Sequence, residues 1–358
     1  MKRLLALLAL SIAGFAVQVP PHAIPGKIYE TSTEVITPSA GPRVDHGIDV
    51  FMTTDFIYWT ARMEGLGYVH TGVSSGTTNA PEGKTRHPDW SWRPGFKVGL
   101  GLSIPHDGWD VHAEYTWLHS SAWDSMDNYQ LGVSPIWNIS NLVYFANSQY
   151  NIQYAKANWK LSFNTLDLSL GRNYFISRYL TLRPFIGFKG AWQSQDYHVT
   201  YLFVSNDTTS IGKMKNDQSY WGIGLRSGLN TAWHFTQTWS IYGNLSLSAL
   251  WSQFDIHRTD TRNDSRNSGG DNRPPLGVTI TTFNTKNSFH TLKGILELGI
   301  GMRGEWWFYE DRYHFLIQAG WEEQLWINHN QLVKALASQS QPGDLILQGF
   351  TMKMRFDF

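Results

Sequence analysis

The closing stretch of the chain alternates without a fault. From Phe350 to Phe358, apolar Phe350, Met352, Met354, Phe356 and Phe358 take one phase, while Thr351, Lys353, Arg355 and Asp357 take the other. A period of two is the mark of a β-strand with one apolar and one polar face. The same pattern recurs upstream. Within Gly47–Arg62, Ile48, Val50, Met52, Phe56 and Tyr58 oppose Asp49, Thr53 and Asp55. Trp92–Ile104 sets Phe96, Val98, Leu100, Leu102 and Ile104 against Lys97, Gly99, Gly101 and Ser103. After a tight turn at Pro105–Gly108, Trp109–Leu118 sets Trp109, Val111, Ala113, Tyr115 and Trp117 against Asp110, His112, Glu114 and Thr116.

The fourth strand, Ala155–Tyr174, breaks phase. Trp159, Leu161 and Phe163 fall on odd numbers but Leu166, Leu168 and Leu170 on even ones, which predicts a β-bulge at Asn164 or Thr165. Five more strands follow, marked by Leu180, Leu182, Ile186, Phe188 and Trp192; by Trp221, Ile223, Leu225, Leu229 and Trp233; by Trp239, Ile241, Leu245, Leu247 and Trp251; by Leu292, Leu296, Leu298, Ile300, Met302 and Trp306; and by Tyr313, Phe315, Ile317, Ala319 and Trp321. The long intervals Met63–Ser91, His119–Tyr154, Gln193–Gln218, Asp255–Ser288 and Ile327–Asp344 read as loops, and short turns separate the other pairs. Strict alternation of long and short connections, with Trp at both ends of the apolar face, predicts an all-β, up-and-down antiparallel transmembrane β-barrel of outer-membrane type. The count is about ten strands. Within His119–Tyr154 the residues around Leu142–Phe145 read as a short helix or a further hairpin; the hairpin would raise the count to twelve, and in either case both termini are periplasmic.

Composition sharpens this picture. Aromatic residues make up 15% of the chain, with 17 Trp, against 16% charged residues, and mean hydropathy is −0.31. Such a chain is too polar for a helical membrane protein and too rich in Trp for an ordinary soluble one. Met1–Ala16 reads as a secretory signal, with Lys2 and Arg3 before the apolar run Leu4–Phe15. Val17–His46, broken by Pro20, Pro21, Pro25, Pro38 and Pro42, reads as a flexible periplasmic leader, leaving 47–358 for the barrel. Lys and Arg number 29 against 29 Asp and Glu, so no basic excess favours nucleic acid. The sequence holds no Cys, hence no disulfide, thiolate metal site or thiol nucleophile. No cofactor motif is found. The expected partners are outer-membrane lipid and lipopolysaccharide, the barrel assembly machinery acting on the C-terminal strand, and a second copy of the chain as a homo-oligomer.

Charges of both signs fall on the inward phase. Lys97, Arg183, Lys189, Arg226, Lys293, Arg303, Lys353 and Arg355 share it with Asp49, Asp55, Asp110, Glu114, Asp167, Glu297, Glu305 and Asp357. Two readings stand: a charged constriction that screens solutes, or ion pairs that fill a narrow interior. Acidic residues and a histidine at the outer mouth would suit a protease; Asp255 and His257, with Glu322, Glu323 and His329, are the candidates, but no second carboxylate pair is placed to join them. Arg258–Arg273 reads as a solvated surface loop. The period-two glycines Gly99 and Gly101, Gly222 and Gly224, and Gly299 and Gly301 make room inside the barrel or beside aromatics.

Several segments carry a resemblance. Asp55–Trp59 (DFIYW), Gly95–Gly101 (GFKVGLG), His106–Asp110 (HDGWD), Leu166–Arg172 (LDLSLGR), Arg183–Gly187 (RPFIG), Gly320–Glu322 (GWE) and Leu347–Phe358 resemble the pore-forming outer-membrane proteins of legionellae and chlamydia-like bacteria, relatives of the chlamydial major outer membrane protein. The resemblance implies an outer-membrane pore for small hydrophilic solutes or ions and no catalytic residue. It also implies that Phe358, a terminal aromatic, is the assembly signal. The absence of Cys departs from the cross-linked chlamydial protein and excludes a disulfide lattice. A non-conducting structural barrel or surface adhesin is the alternative function, and an omptin-like protease the third.

Overall fold

A computed structural model describes residues 49–72, 79, 82–104, 108–127, 133–139, 151–205, 208–266, 279–309, 312–334 and 343–358. All belong to one unit, Ser39–Phe358. The expected signal, the leader, Ile48, the tip of the Pro105–Gly108 turn and the stretch Leu142–Phe145 lie outside the described residues.

Ten antiparallel strands form the wall: β1 (Val50–Met63), β2 (Trp92–Ser103), β3 (Trp109–Asp127), β4 (Asn151–Arg172), β5 (Leu180–Ser205), β6 (Thr208–His234), β7 (Trp239–Arg266), β8 (Thr279–Phe308), β9 (Tyr313–Asn330) and β10 (Gly343–Asp357). Each pairs with the next, and β1 pairs with β10 from Phe51↔Asp357 to Met63↔Leu345, which closes the barrel and removes its edges. No helix long and apolar enough to cross a membrane is found among the described residues; the chain crosses with strands.

The outward face sorts the side chains by height. Tyr58, Trp92, Trp192, Trp221, Trp251 and Trp321 are exposed in an outer belt, and Tyr179, Trp233, Trp239, Phe308, Tyr313 and Phe358 in a belt at the end that carries the termini and short turns. Along β6, Trp221 and Trp233 differ by about 30 Å in height, at a rise of about 3.3 Å per residue and a tilt of about 40°. That equals the hydrocarbon thickness. Leu166, Ile186, Ile223, Leu225, Leu247 and Ile300 lie exposed between the belts, where lipid covers them. Small residues admit rings from neighbouring strands: a Cβ at Gly101 would meet the Phe51 ring, and one at Gly301 would meet Tyr242.

Several expectations need correction. The interval Gln193–Gln218 is not a loop: β5 and β6 stay paired through it up to Ser205↔Thr208. Likewise β7 and β8 run through most of Asp255–Ser288, and β3 extends to Asp127. An inverted pattern conceals these arms in the sequence: above the outer belt the outward face meets water and is polar, while Tyr197, Val199, Tyr201 and Met214 are buried on the inward face. No bulge occurs at Asn164 or Thr165; β4 keeps an even register with β3 and β5 there. Trp159, Leu161 and Phe163 face inward and are buried, whereas Leu166, Leu168 and Leu170 face outward. The phase break is a change of which face is apolar. The wall holds ten strands rather than twelve, and within His119–Tyr154 the described residues Trp137 and Ile139 are buried in the cluster that fills the lumen.

Candidate functional site

The inward phase builds two zones, one above the other. The lower is a polar cavity of about 680 Å³. Its lining runs from Gly108, Arg178 and Gln237 at the turn-bearing end to Asp55, Lys97 and Glu322 at its depth. In outer-membrane barrels the short-turn end faces the periplasm, so the cavity is a periplasmic vestibule.

Ion pairs and hydrogen bonds line the vestibule in tiers, within and between neighbouring strands at its rim and across the lumen deeper in. At the lowest, His314 Nδ1 lies 2.7 Å from Asp357 Oδ2, Arg355 Nε donates to Asp357 at 3.0 Å, and Arg303 Nε donates to Gln318 at 3.1 Å. Next, Arg183 Nε donates to Asp110 at 2.9 Å and its NH1 to Asn230 at 3.1 Å. Deeper, Lys189 is fully buried between Asp167 (2.8 Å) and Glu297 (2.7 Å), and Arg226 Nε donates to Glu297 at 3.0 Å. Beside them Lys97 reaches Glu322 at 2.5 Å, and Lys353 lies 2.7 Å from Glu114 and 3.5 Å from Asp55. These two deep groups set Lys97, Lys189, Arg226 and Lys353 against Asp55, Glu114, Asp167, Glu297 and Glu322, an excess of one carboxylate.

Every inward charge named from the alternation lines the vestibule except Lys189, buried behind the lining, and Lys293, whose ammonium donates to the Asn328 carbonyl higher up. Asp49 sits at the rim with a left-handed backbone, φ 58°. The proposed protease residues are scattered. Glu322 is held by Lys97; His257 bonds Asn284; Asp255 accepts from Ser288 at 2.6 Å; and His329 is fully buried.

Above the vestibule the lumen is filled. Trp59, Trp159, Phe163, Phe254, Trp326 and Leu347 point inward from the wall and are buried. Three inner segments pack among them: Leu66–Thr71, Trp137–Ile139 and His329–Val333. The first joins a small sheet in which Val69 pairs with both Arg86 and Pro135. Hydrogen bonds tie these segments to the wall. Tyr197 donates to the Leu66 carbonyl at 2.8 Å and Tyr201 to that of Tyr68 at 2.5 Å, and Trp137 Nε1 joins two of the inner segments by donating to the Gly67 carbonyl at 2.8 Å. Tyr68 donates to Asp124 at 2.7 Å; burial and that carboxylate push its phenol well above the ordinary range, so it remains a donor. Gln218 donates to the His329 carbonyl at 3.0 Å.

Arg258 contradicts its expected place in a solvated loop. It is fully buried, paired with Asp260 at 2.7 Å, and it donates to the Asn138 carbonyl at 2.6 Å and that of Val333 at 3.1 Å. One guanidinium thus fastens two inner segments to β7. The signal for the filled zone is present in the sequence as the parity switch in β4. It recurs in β1, where even-numbered Phe56 and Tyr58 face outward while Trp59, Ala61 and Met63 are buried inside.

A family model described as the Legionella pneumophila major outer membrane protein precursor matches residues 42–358. No curated protein matches significantly. Among solved structures, the outer membrane protease OmpT from Escherichia coli aligns at TM-score 0.37 and 9% identity, covering 89% of this chain and 100% of that one. A major outer membrane protein from Thermus thermophilus aligns at 0.27 and 14%, covering 86% and 99%. A FadL homologue from Pseudomonas aeruginosa aligns at 0.26 and 9%, covering 86% and 90%.

Proposed function

We propose, for a chain that belongs to the Legionella pneumophila major outer membrane protein family, a porin-like role in which small hydrophilic solutes or ions cross a gated lumen. The observation that carries this reading is the layout of the lumen. A polar, charge-lined vestibule of about 680 Å³ reaches from the periplasmic rim to the middle of the barrel, and inner segments fill the space beyond it. A solute enters the vestibule freely and passes only when those segments withdraw. The excess carboxylate at its depth favours cations over anions.

A second reading is the non-conducting structural barrel. It is favoured by Trp59, Trp159 and Trp326, which belong to the wall and would still crowd the lumen after the inner segments moved. The reading assigns no catalytic residue.

Planar-bilayer conductance of refolded protein separates the two. The parent should stay closed with brief openings. A variant in which residues 128–150 are replaced by a short Gly-Ser turn loses Trp137 and Ile139, one of the three inner segments, and should open more often than the parent, with a preference for cations. If both fold, as read from heat-modifiable gel mobility, and neither conducts, the pore reading fails and the structural one stands.

A further inference from the structure

Above the outer aromatic belt, the outward side chains of β4, β5 and β6 form a ladder whose rungs can be read from the strand register. The rung at the belt is Asn164–Trp192–Trp221, and the next is Ser162–Ser194–Ser219. Lys160–Asp196–Asp217 follows, then Asn158–His198–Lys215, then Lys156–Thr200–Lys213. Four lysines therefore stand on one face against two carboxylates, with His198 between them. Asp217 is engaged by Lys215 at 2.9 Å and lies 3.8 Å from His198. Lys156, Lys160 and Lys213 are exposed and form no ion pair among the described residues. On the top rung two of them flank the Thr200 hydroxyl, about 5 Å to either side at the ordinary strand spacing.

The other wall differs. On β9, β10 and β1 the rungs above Trp321–Phe350–Tyr58 are Glu323–Gln348–Thr60 and Leu325–Ile346–Arg62, one acid against one base. The positive cluster belongs to one side of the barrel.

Height identifies the partner. With about 3.3 Å of rise per residue and a tilt of about 40°, the lysine rungs stand about 10, 15 and 20 Å above the Trp192–Trp221 belt. A phospholipid headgroup layer extends only about 5–8 Å beyond the hydrocarbon, too short to reach the upper rungs. The phosphorylated sugars of lipopolysaccharide extend farther, and they carry the negative charge that ammonium groups and a hydroxyl would bind. We propose that Lys156, Lys160, Lys213 and Lys215, with Thr200, form a docking site for the phosphorylated saccharide of lipopolysaccharide, and that the apolar belt below receives its acyl chains.

The test is binding of lipopolysaccharide to refolded full-length mature protein in detergent, read by thermophoresis. The parent should bind phosphorylated lipopolysaccharide about tenfold or more tightly than the same lipid stripped of phosphate, and the difference should shrink in high salt. K156Q/K160Q/K213Q/K215Q should lose about the same factor, whereas R62Q/K286Q, which removes two cations elsewhere on the outer wall, should bind as the parent does. Phosphatidylglycerol and inorganic phosphate should compete weakly. Equal binding of the two lipids by the parent overturns the proposal, as does parent-like binding by a quadruple variant of unchanged heat-modifiable mobility. Full competition by phosphatidylglycerol would also overturn it, since the site would then read phosphate alone. Should the quadruple variant not fold, the comparison of the two lipids on the parent decides.

Discussion

Lys189 shows what one inward charge does in a narrow barrel. Its ammonium is fully buried between Asp167 and Glu297, so removing it strands the two buried oxygens that face it, Asp167 Oδ1 and Glu297 Oε1. We expect Lys189→Met to cost about 3–5 kcal/mol, the range for breaking a buried pair, read as a lower unfolding midpoint in urea. An unchanged midpoint would mean that Arg226 alone neutralises the site. His329 should behave in the opposite way. It is fully buried among Tyr220, Phe254 and Trp326, and neither ring nitrogen has a partner among the described residues. A buried polar group left unpaired costs about 1–3 kcal/mol. His329→Leu should therefore hold or raise thermal stability, and a clear drop would show that the imidazole is bonded after all.

The closing strand sets assembly apart from stability. Phe358 follows β10 directly and is partly exposed, with its backbone amide donating to the Val50 carbonyl at 3.0 Å and its ring 4.9 Å from that of Phe356. Its deletion removes one partly exposed apolar side chain, less than the roughly 1.5–3 kcal/mol of full burial. We expect surface abundance in cells to fall several-fold while the refolded deletion variant melts close to the parent. A parallel fall in both would make Phe358 a packing residue. Alternation makes β10 legible from sequence because one face meets lipid and the other a polar vestibule. The same rule reads the lower parts of β2, β3 and β6. It fails in the upper arms of β5 to β8, where the outward face is wetted and carries Lys213, Lys215 and Asp255 while the inward face carries Tyr197, Tyr201 and Met214. There polarity is inverted, and a strand whose apolar face changes side midway resembles a bulge or a loop. Arg258 is misplaced by the sequence pattern for that reason: in one dimension it lies in a polar run, and only the closed lumen makes its position an interior one.

For the whole molecule, the vestibule and the filled zone above it turn a ten-stranded cylinder into a cup that opens toward the periplasm. The inward charges can be named from sequence because they keep phase with lipid-facing partners. Which zone each belongs to cannot, because that depends on loop segments such as Leu66–Thr71 returning into the lumen from far along the chain. The absence of native Cys makes this asymmetry directly measurable. Asn244 lines the vestibule, whereas Glu64 is exposed at the opposite end of the wall. The decisive measurement is labelling of Asn244→Cys and Glu64→Cys in oriented proteoliposomes by a membrane-impermeant maleimide added to one side at a time. A lumen open only below predicts that Asn244→Cys reacts from the periplasmic face alone and Glu64→Cys from the outer face alone. Equal labelling of Asn244→Cys from both faces would contradict it.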